Sequence, residues 1–195
     1  EAQHDLITDL PNLKSCRLLA QNHIGDSQQS QRAFSIIVMD VIDFKDLGMH
    51  YGSFIIDCLA KDIAKRLKAH APDNSYLARL NDSQFAVLIP KEDYKIDVSY
   101  AANEIGKRIA GSYDIEQVVL DIQVSMGGAS YPEHANEFDT LLQKANIAQH
   151  HAKANDLRYA LYNSEQETNR PEQIILASDL KKAINNNELS LKFHS

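Results

Sequence analysis

The residues best placed to do chemistry are one carboxylate and one turn. Asp40 closes a short apolar run over residues 33–41, in which Phe34, Ile36, Ile37, Val38 and Met39 suit a buried strand. Further on, Asn81-Asp82 sits between residues 76–80 and 84–89, two stretches rich in strand formers. A two-residue Asn-Asp link is hairpin chemistry, because both residue types tolerate positive φ. A tight turn at the rim of a sheet is also a frequent place for function. Carboxylates from two neighbouring strand ends can hold magnesium against a triphosphate for nucleotidyl transfer. Asp40 supplies one half of such a pair, and the other half would fall on Ser83, which carries no charge.

Periodicity gives the elements that must position these residues. Asn12, after turn-formers around Pro11, is an expected N-cap for a helix carrying Leu13, Leu18 and Leu19, and residues 25–30 read as a polar loop. Gly48 and Gly52 mark a loop behind Asp43. Over residues 53–70, Ile56, Leu59, Ile63 and Leu67 recur at helical spacing, and Ala71-Pro72-Asp73-Asn74 stops that helix. Residues 97–111 place Ala101, Ala102, Ile105 and Ile109 on one helical face. Residues 118–131 alternate as a single strand, where Gly127-Gly128 implies a bulge or a close backbone approach. A helix over 137–154 presents Leu141, Ala145, Ala148 and Ala152, and a short strand over 158–162 follows. The fold class expected is α+β: a ferredoxin-like βαββαβ core with an extra C-terminal helix and strand. In that core the first strand lies antiparallel beside the third, which brings Asp40 close to Ser83 and Gln84.

Composition narrows the partners. A net charge of −7 and a pI near 5.6 argue against a nucleic-acid polymer, since phosphate-backbone binding needs a basic face. Cys16 and Cys58 make no zinc spacing and no disulfide framework, and fit a reducing cytoplasm. No apolar run approaches the ~20 residues of a membrane span, so no membrane contact is expected of this stretch. The chain starts Glu-Ala without a Met and ends on what reads as a first strand, as expected of a piece of a larger protein.

Several segments agree, in order, with one known family. His4-Asp5-Leu6-Ile7-Thr8-Asp9-Leu10-Pro11-Asn12 looks like an opening His-Asp-x-Leu-Thr-x-Leu-Pro-Asn, and Asp40-Val41-Ile42-Asp43-Phe44-Lys45 looks like Asp-x-Asp-x-Phe-Lys. Tyr51-Gly52, Asp57, Val124-Ser125-Met126-Gly127, Tyr131-Pro132 and Ala152-Lys153 continue the match. Over residues 1–163 the chain resembles a GGDEF domain, of the diguanylate cyclase family that joins two GTP molecules into cyclic di-GMP. The resemblance implies a nucleotidyl-cyclase or palm-like version of the fold. It also implies Asp40 as a magnesium ligand with the Val41 carbonyl assisting, Lys45 and Lys153 as phosphate contacts, and Asp57 as a guanine contact.

The signature itself departs from the family. Where the family reads Gly-Gly-Asp/Glu-Glu-Phe, this chain has Asn81, Asp82, Ser83, Gln84 and Phe85. Ser83 replaces a metal ligand and Gln84 a catalytic acid, while Asn81 and Asp82 put side chains where glycines admit phosphates. Gly48 replaces the Asn that partners Asp57, Ile42 replaces the second Asp, Leu157 replaces an Arg with Arg158 adjacent, and the product-inhibition Arg-x-x-Asp is missing from residues 72–75. The expectation is therefore no cyclase activity and no required cofactor, with magnesium and GTP left open should the pocket survive.

The blander readings are a solvated strand end for Asp40, a surface charge for Asp57, and solvated cations for Lys45 and Lys153. His150 and His151 point to different helix faces and make no metal pair. Residues 164–171 read as a linker. Residues 172–195, through Asp179-Leu180-Lys181-Lys182-Ala183-Ile184 and Leu189-Ser190-Leu191-Lys192-Phe193, resemble the start of an EAL domain, of the cyclic di-GMP phosphodiesterase family. The partner implied is that EAL domain in the same chain, with a homodimer left open. The functional readings are a silent regulatory module, a GTP-binding sensor for the EAL domain, or a cyclase with an atypical signature.

Overall fold

The computed structural model describes residues 3–30, 32–91 and 97–167. It divides into two units, Glu1–Tyr162 and Asn163–Ser195. Of the second, the described part is one helical turn, in which the Gln166 and Glu167 N–H groups donate to the Asn163 and Ser164 carbonyls. The expected EAL-like start at 172–195, and the second half of the linker before it, 168–171, lie outside the described residues.

In the first unit β1 (Phe34–Val41) is the centre of a five-stranded sheet of order β2-β3-β1-β6-β7. It pairs antiparallel with β3 (Gln84–Pro90) on one side and with β6 (Val124–Tyr131) on the other. β2 (Tyr76–Asn81) lies outside β3, and β7 (Tyr159–Leu161) runs parallel to β6 at the far edge. This is the ferredoxin-like order expected from the sequence, extended by one strand.

Both faces of β1 are covered, which is why it reads as a continuous apolar run and not an alternating one. Ile36 and Val38 pack with Cys16, Ala20 and Ile24 of α1 (Leu13–Ser30) and with Leu141, Ala145 and Ala148 of α5 (Phe138–Ala154). Ile37, Met39 and Val41 pack with Leu59, Ile63 and Leu67 of α3 (Ser53–His70) and with Ala102 and Ile105 of α4 (Val98–Ile109). Two caps behave as their chemistry dictates. Asn12 accepts from the Ser15 N–H and Asp97 from the Ser99 N–H. No helix among the described residues is long and apolar enough to cross a membrane.

Four sequence expectations need correction. The polar stretch 25–30 is the last part of α1, and Gly25 sits there in an exposed helical position where a Cβ would meet nothing. Residues 44–51 form a helix, α2 (Phe44–Tyr51), started by Asp43 in the left-handed region and ended by Gly52 at φ 90°; Gly48 sits inside it. Residues 118–131 are two strands broken at Gln123, β5 (Val118–Ile122) and β6, and β5 pairs with the unforeseen β4 (Gly111–Ile115). The Glu116-Gln117 link between β4 and β5 takes φ of 49° and 67°, the double left-handed turn that tight hairpins favour.

The fourth correction concerns the hairpin of interest. Its turn is Asp82-Ser83, one residue later than read, because a register shift between Arg79 and Asn81 absorbs Leu80. Neither Asn81 nor Asp82 adopts positive φ.

Gly127-Gly128 is a close approach and not a bulge. A Cβ at Gly127 would lie 2.2 Å from the Ala145 carbonyl oxygen and the Gln149 nitrogen, both backbone atoms of α5. Gly127→Ala is expected to cost about 3 kcal/mol through overpacking. Gly25→Ala, in an open helical position, should gain about 0.5–1 kcal/mol. Urea denaturation of the two variants checks both signs.

Candidate functional site

The site lies where β1 and β6 exchange with the β2–β3 turn. Asp40, the last residue but one of β1, is paired in register with Gln84 on one side and Ser125 on the other. The strand ends are pinned on both flanks. The Val41 N–H donates to the Ser83 carbonyl at 2.9 Å, and the Ile42 N–H to the Gln123 carbonyl at 3.0 Å. Val41 is buried, so the chain can turn outward only after it, at Asp43.

Asp40 is half-buried, and burial pushes its carboxyl above the ordinary 3.8 in spite of Lys153, the Ser83 hydroxyl and His150, which all favour the charged form. The Ser83 Oγ lies 3.3 Å from Asp40 Oδ1 and also 3.3 Å from Asn81 Oδ1, so one hydroxyl proton serves two acceptors. Asn81 Oδ1 further accepts the Ser83 N–H at 3.1 Å, fastening the turn. Gln84 Nε2 donates to Asn146 Oδ1 on α5 at 2.6 Å, and Asn81 Nδ2 to Gln84 Oε1 at 3.3 Å. One strand over, Gln149 Nε2 donates to Ser125 Oγ at 2.6 Å, a bond buried between α5 and β6.

Beneath the turn sits Arg79, whose side chain is only 5% exposed. Its Nη1 donates to Asp5 Oδ2 at 3.0 Å and its Nη2 to the Asp82 carbonyl at 2.7 Å, while Phe44 and Phe85 flank the guanidinium at 5.8 Å each. Burial works to raise the Asp5 pKa, but hydrogen bonds from the Thr8 backbone and hydroxyl together with Arg79 bring it below the ordinary 3.8. The segment entering at residue 3 is thereby tied to the turn.

The structure brings together Asp40, Ser83, Gln84 and Lys153. The side chains of Lys45, exposed at the start of α2, and Asp57, half-buried on α3, form no hydrogen bond or ion pair among the described residues. The Asp82 carboxylate is exposed, and Phe85 is fully buried. A cavity of about 350 Å³ adjoins the strand ends, with Ser125, Lys153 and Arg158 in its wall together with Asp156, two cations against one carboxylate. Asn146, Gln149, Arg79 and Asp5 had no sequence signal as site residues, although Asn146 and Gln149 do interrupt the small-residue face of Ala145, Ala148 and Ala152. Among the described residues no three His, Cys, Asp or Glu side chains could hold a metal ion. Asp40 alone, already shared with Ser83, does not fit a two-magnesium centre.

A family model described as "Diguanylate cyclase, GGDEF domain" matches residues 2–158. The chain is 30% identical over 193 residues to the bifunctional diguanylate cyclase/cyclic di-GMP phosphodiesterase MucR of Pseudomonas aeruginosa, covering 98% of this chain and 28% of that one. It is 27% identical over 154 residues to diguanylate cyclase TpbB of the same organism, covering 78% of this chain and 35% of the relative. The solved GGDEF domain of TpbB superposes with a TM-score of 0.78 at 24% identity, over 87% of this chain and 99% of that one. At that identity the likeness speaks for the fold alone. The chain thus spans only 28% and 35% of these two curated relatives.

Two substitutions test the electrostatics. The raised Asp40 pKa makes its charged form a cost above that pKa, a cost gone below the ordinary 3.8. Asp40→Asn should therefore be more stable than the parent at neutral pH, with the advantage closing on acidification. Asp5 has the opposite sign: its contribution is present above 3.8 and lost as pH falls through its lowered pKa. Arg79→Met should cost about 3 kcal/mol at neutral pH and flatten that acid-side loss, because it strands a partly buried carboxylate. Thermal melts of both variants from pH 7 to pH 3 read each effect.

Proposed function

The chain belongs to the GGDEF family of diguanylate cyclase domains, and from that premise we propose that it is a catalytically silent module of cyclic di-GMP signalling that regulates an adjoining EAL domain. One observation carries the reading. The two signature positions that hold acids in the family hold Ser83 and Gln84 here, and both uncharged side chains are engaged as hydrogen-bond donors, to Asp40 and Asn146. Phosphoryl transfer depends on charge stabilisation that fixed carboxylates and metal ions supply. A lone, half-buried carboxylate with a raised pKa is a poor anchor for that charge, and the exposed Asp82 adds repulsion toward a triphosphate.

The likeness of residues 172–195 to an EAL start supports the partner. The match to MucR, whose name includes a phosphodiesterase, runs over 98% of the chain, whereas the match to TpbB, named as a cyclase alone, covers 78%. In this reading the module works in the cytoplasm and requires no metal.

A second reading, a GTP-binding sensor for the same EAL domain, draws on the cavity that Lys153 and Arg158 line beside Asp40. An active cyclase is the reading the site supports least.

With GTP and magnesium the chain is expected to make no cyclic di-GMP, and a measurable rate of synthesis would overturn the proposal. Calorimetry separates the first two readings. Magnesium-dependent uptake of GTP favours the sensor, and no heat up to millimolar GTP favours a module acting through contacts. The combined variant Ser83→Asp, Gln84→Glu, Gly48→Asn should bind magnesium-GTP about tenfold or more tighter than the parent, since each regained polar contact is worth roughly 1–3 kcal/mol. The Gly48 site has room, with a Cβ there 3.6 Å from Ile56. No gain would show that the nucleotide site lies elsewhere.

A further inference from the structure

The opposite end of the sheet holds a second cavity, of about 390 Å³, that the nucleotide chemistry does not use. It opens between one face of α1 and the far ends of three strands. Phe34 begins β1, Tyr76 begins β2, and Leu88 and Pro90 end β3; pairing of Phe34 with Pro90 and of Tyr76 with Leu88 puts these ends side by side. Phe34 and Asp40 are six residues apart along β1, about 20 Å at ~3.3 Å per residue, so this cavity is separate from the strand-end site.

The lining has two parts. Leu19, Phe34, Leu88 and Pro90 give an apolar floor, with Phe34 at 2% and Leu88 at 5% exposure. The rim is polar and regular. Asn22, His23 and Asp26 follow Leu19 on α1 at spacings of three, four and seven, which puts all four on one helical face. Asn74 and Ser75 of the turn before β2 stand opposite. That turn is held in place by its own bonds, because the Ser75 N–H and hydroxyl both donate to the Pro72 carbonyl and Asn74 takes a φ of 65°.

An apolar floor, a few convergent amide, imidazole and hydroxyl groups, and a volume of a few hundred Å³ are the usual attributes of a small-molecule site. The charge pattern selects the class. Among the described residues no Lys or Arg lines the cavity, so a phosphate or carboxylate entering it would lose its hydration with no counter-ion from them. The stretch where the Arg-x-x-Asp is missing, residues 72–75, reaches this wall through Asn74 and Ser75, which bring no cation to it.

We propose that the cavity between α1 and the β1–β2–β3 ends binds a small, uncharged, planar heteroaromatic molecule, its ring between Leu19 and Pro90 above the buried Phe34 and Leu88 and its polar edge toward Asn22 and Ser75. Because β1 and β3 run from this cavity to Asp40 and Gln84, an occupant here bears on the same two strands that carry the strand-end site.

Indole serves as the neutral probe and indole-3-acetate as its anionic counterpart, each titrated into the isotope-labelled chain and followed by NMR. Indole should give saturable shifts centred on Phe34, Leu88 and His23, with indole-3-acetate about tenfold weaker for want of a counter-ion. Leu19→Trp, at a position 39% exposed, should fill the cavity and abolish the shifts while the thermal midpoint is kept. Asn22→Trp, from the exposed rim, gives a second filled variant. The proposal fails if indole produces no saturable shift at these residues, or if both filled variants respond as the parent does. It also fails if indole-3-acetate binds as tightly as indole.

Discussion

The register of β1 between β3 and β6 is the constraint on which the rest depends. A strand buried on both faces cannot slip by one residue without driving Ile36 and Val38 into the space of Ile37 and Met39. That fixes Asp40 opposite Gln84 and Ser125, and the bonds from Val41 and Ile42 to Ser83 and Gln123 hold the strand end to both neighbours. The raised pKa of Asp40 is a consequence of this placement, since the carboxylate sits where the sheet, α5 and the turn meet and water has limited access.

A site of this shape with three carboxylates would be self-repelling until metal ions arrived, because like charges a few ångströms apart raise one another's pKa. Ser83 and Gln84 remove that repulsion. Ser83 donates to Asp40, and Gln84 reaches α5 through Asn146, so the turn is docked on both sides by neutral donors. The turn is held instead by hydrogen bonds from side chains that carry no charge of their own.

How much of this was legible in the sequence follows from how local each determinant is. The run 33–41, the helical periodicity of 53–70 and the Gly127-Gly128 pair are local patterns dictated by burial, and the structure keeps all three. The β4–β5 hairpin was hidden because the alternation of β5 and β6 runs on across Gln123, and because Glu116-Gln117 carries none of the Gly or Asn that mark a tight turn. The Asp82-Ser83 turn was displaced by one because a bulge at Leu80 leaves no compositional trace. Topology alone put Asp40 beside Ser83 and Gln84. Asn146 and Gln149 stayed invisible, since a polar residue on a helix shows its partner only once the helix is laid on the sheet.

Arg79 couples the entering segment to the turn. A guanidinium this enclosed cannot drop its partners without stranding a charge, so Asp5 and the Asp82 carbonyl are coupled through it at a cost of several kcal/mol to either break. The backbone adds to this, with the Arg79 N–H donating to the Pro11 carbonyl and Asn12 bridging to Arg79 in parallel. A displacement of the entering segment must therefore move the turn or tear the ion pair. The turn in turn holds α5 through Gln84, and α5 lies so close on Gly127 that it cannot shift without β6, whose other neighbour is β7. The path from Asp5 to β6 is thus a chain of direct contacts: an ion pair, a hydrogen bond to the turn, a hydrogen bond to α5 and the close approach at Gly127.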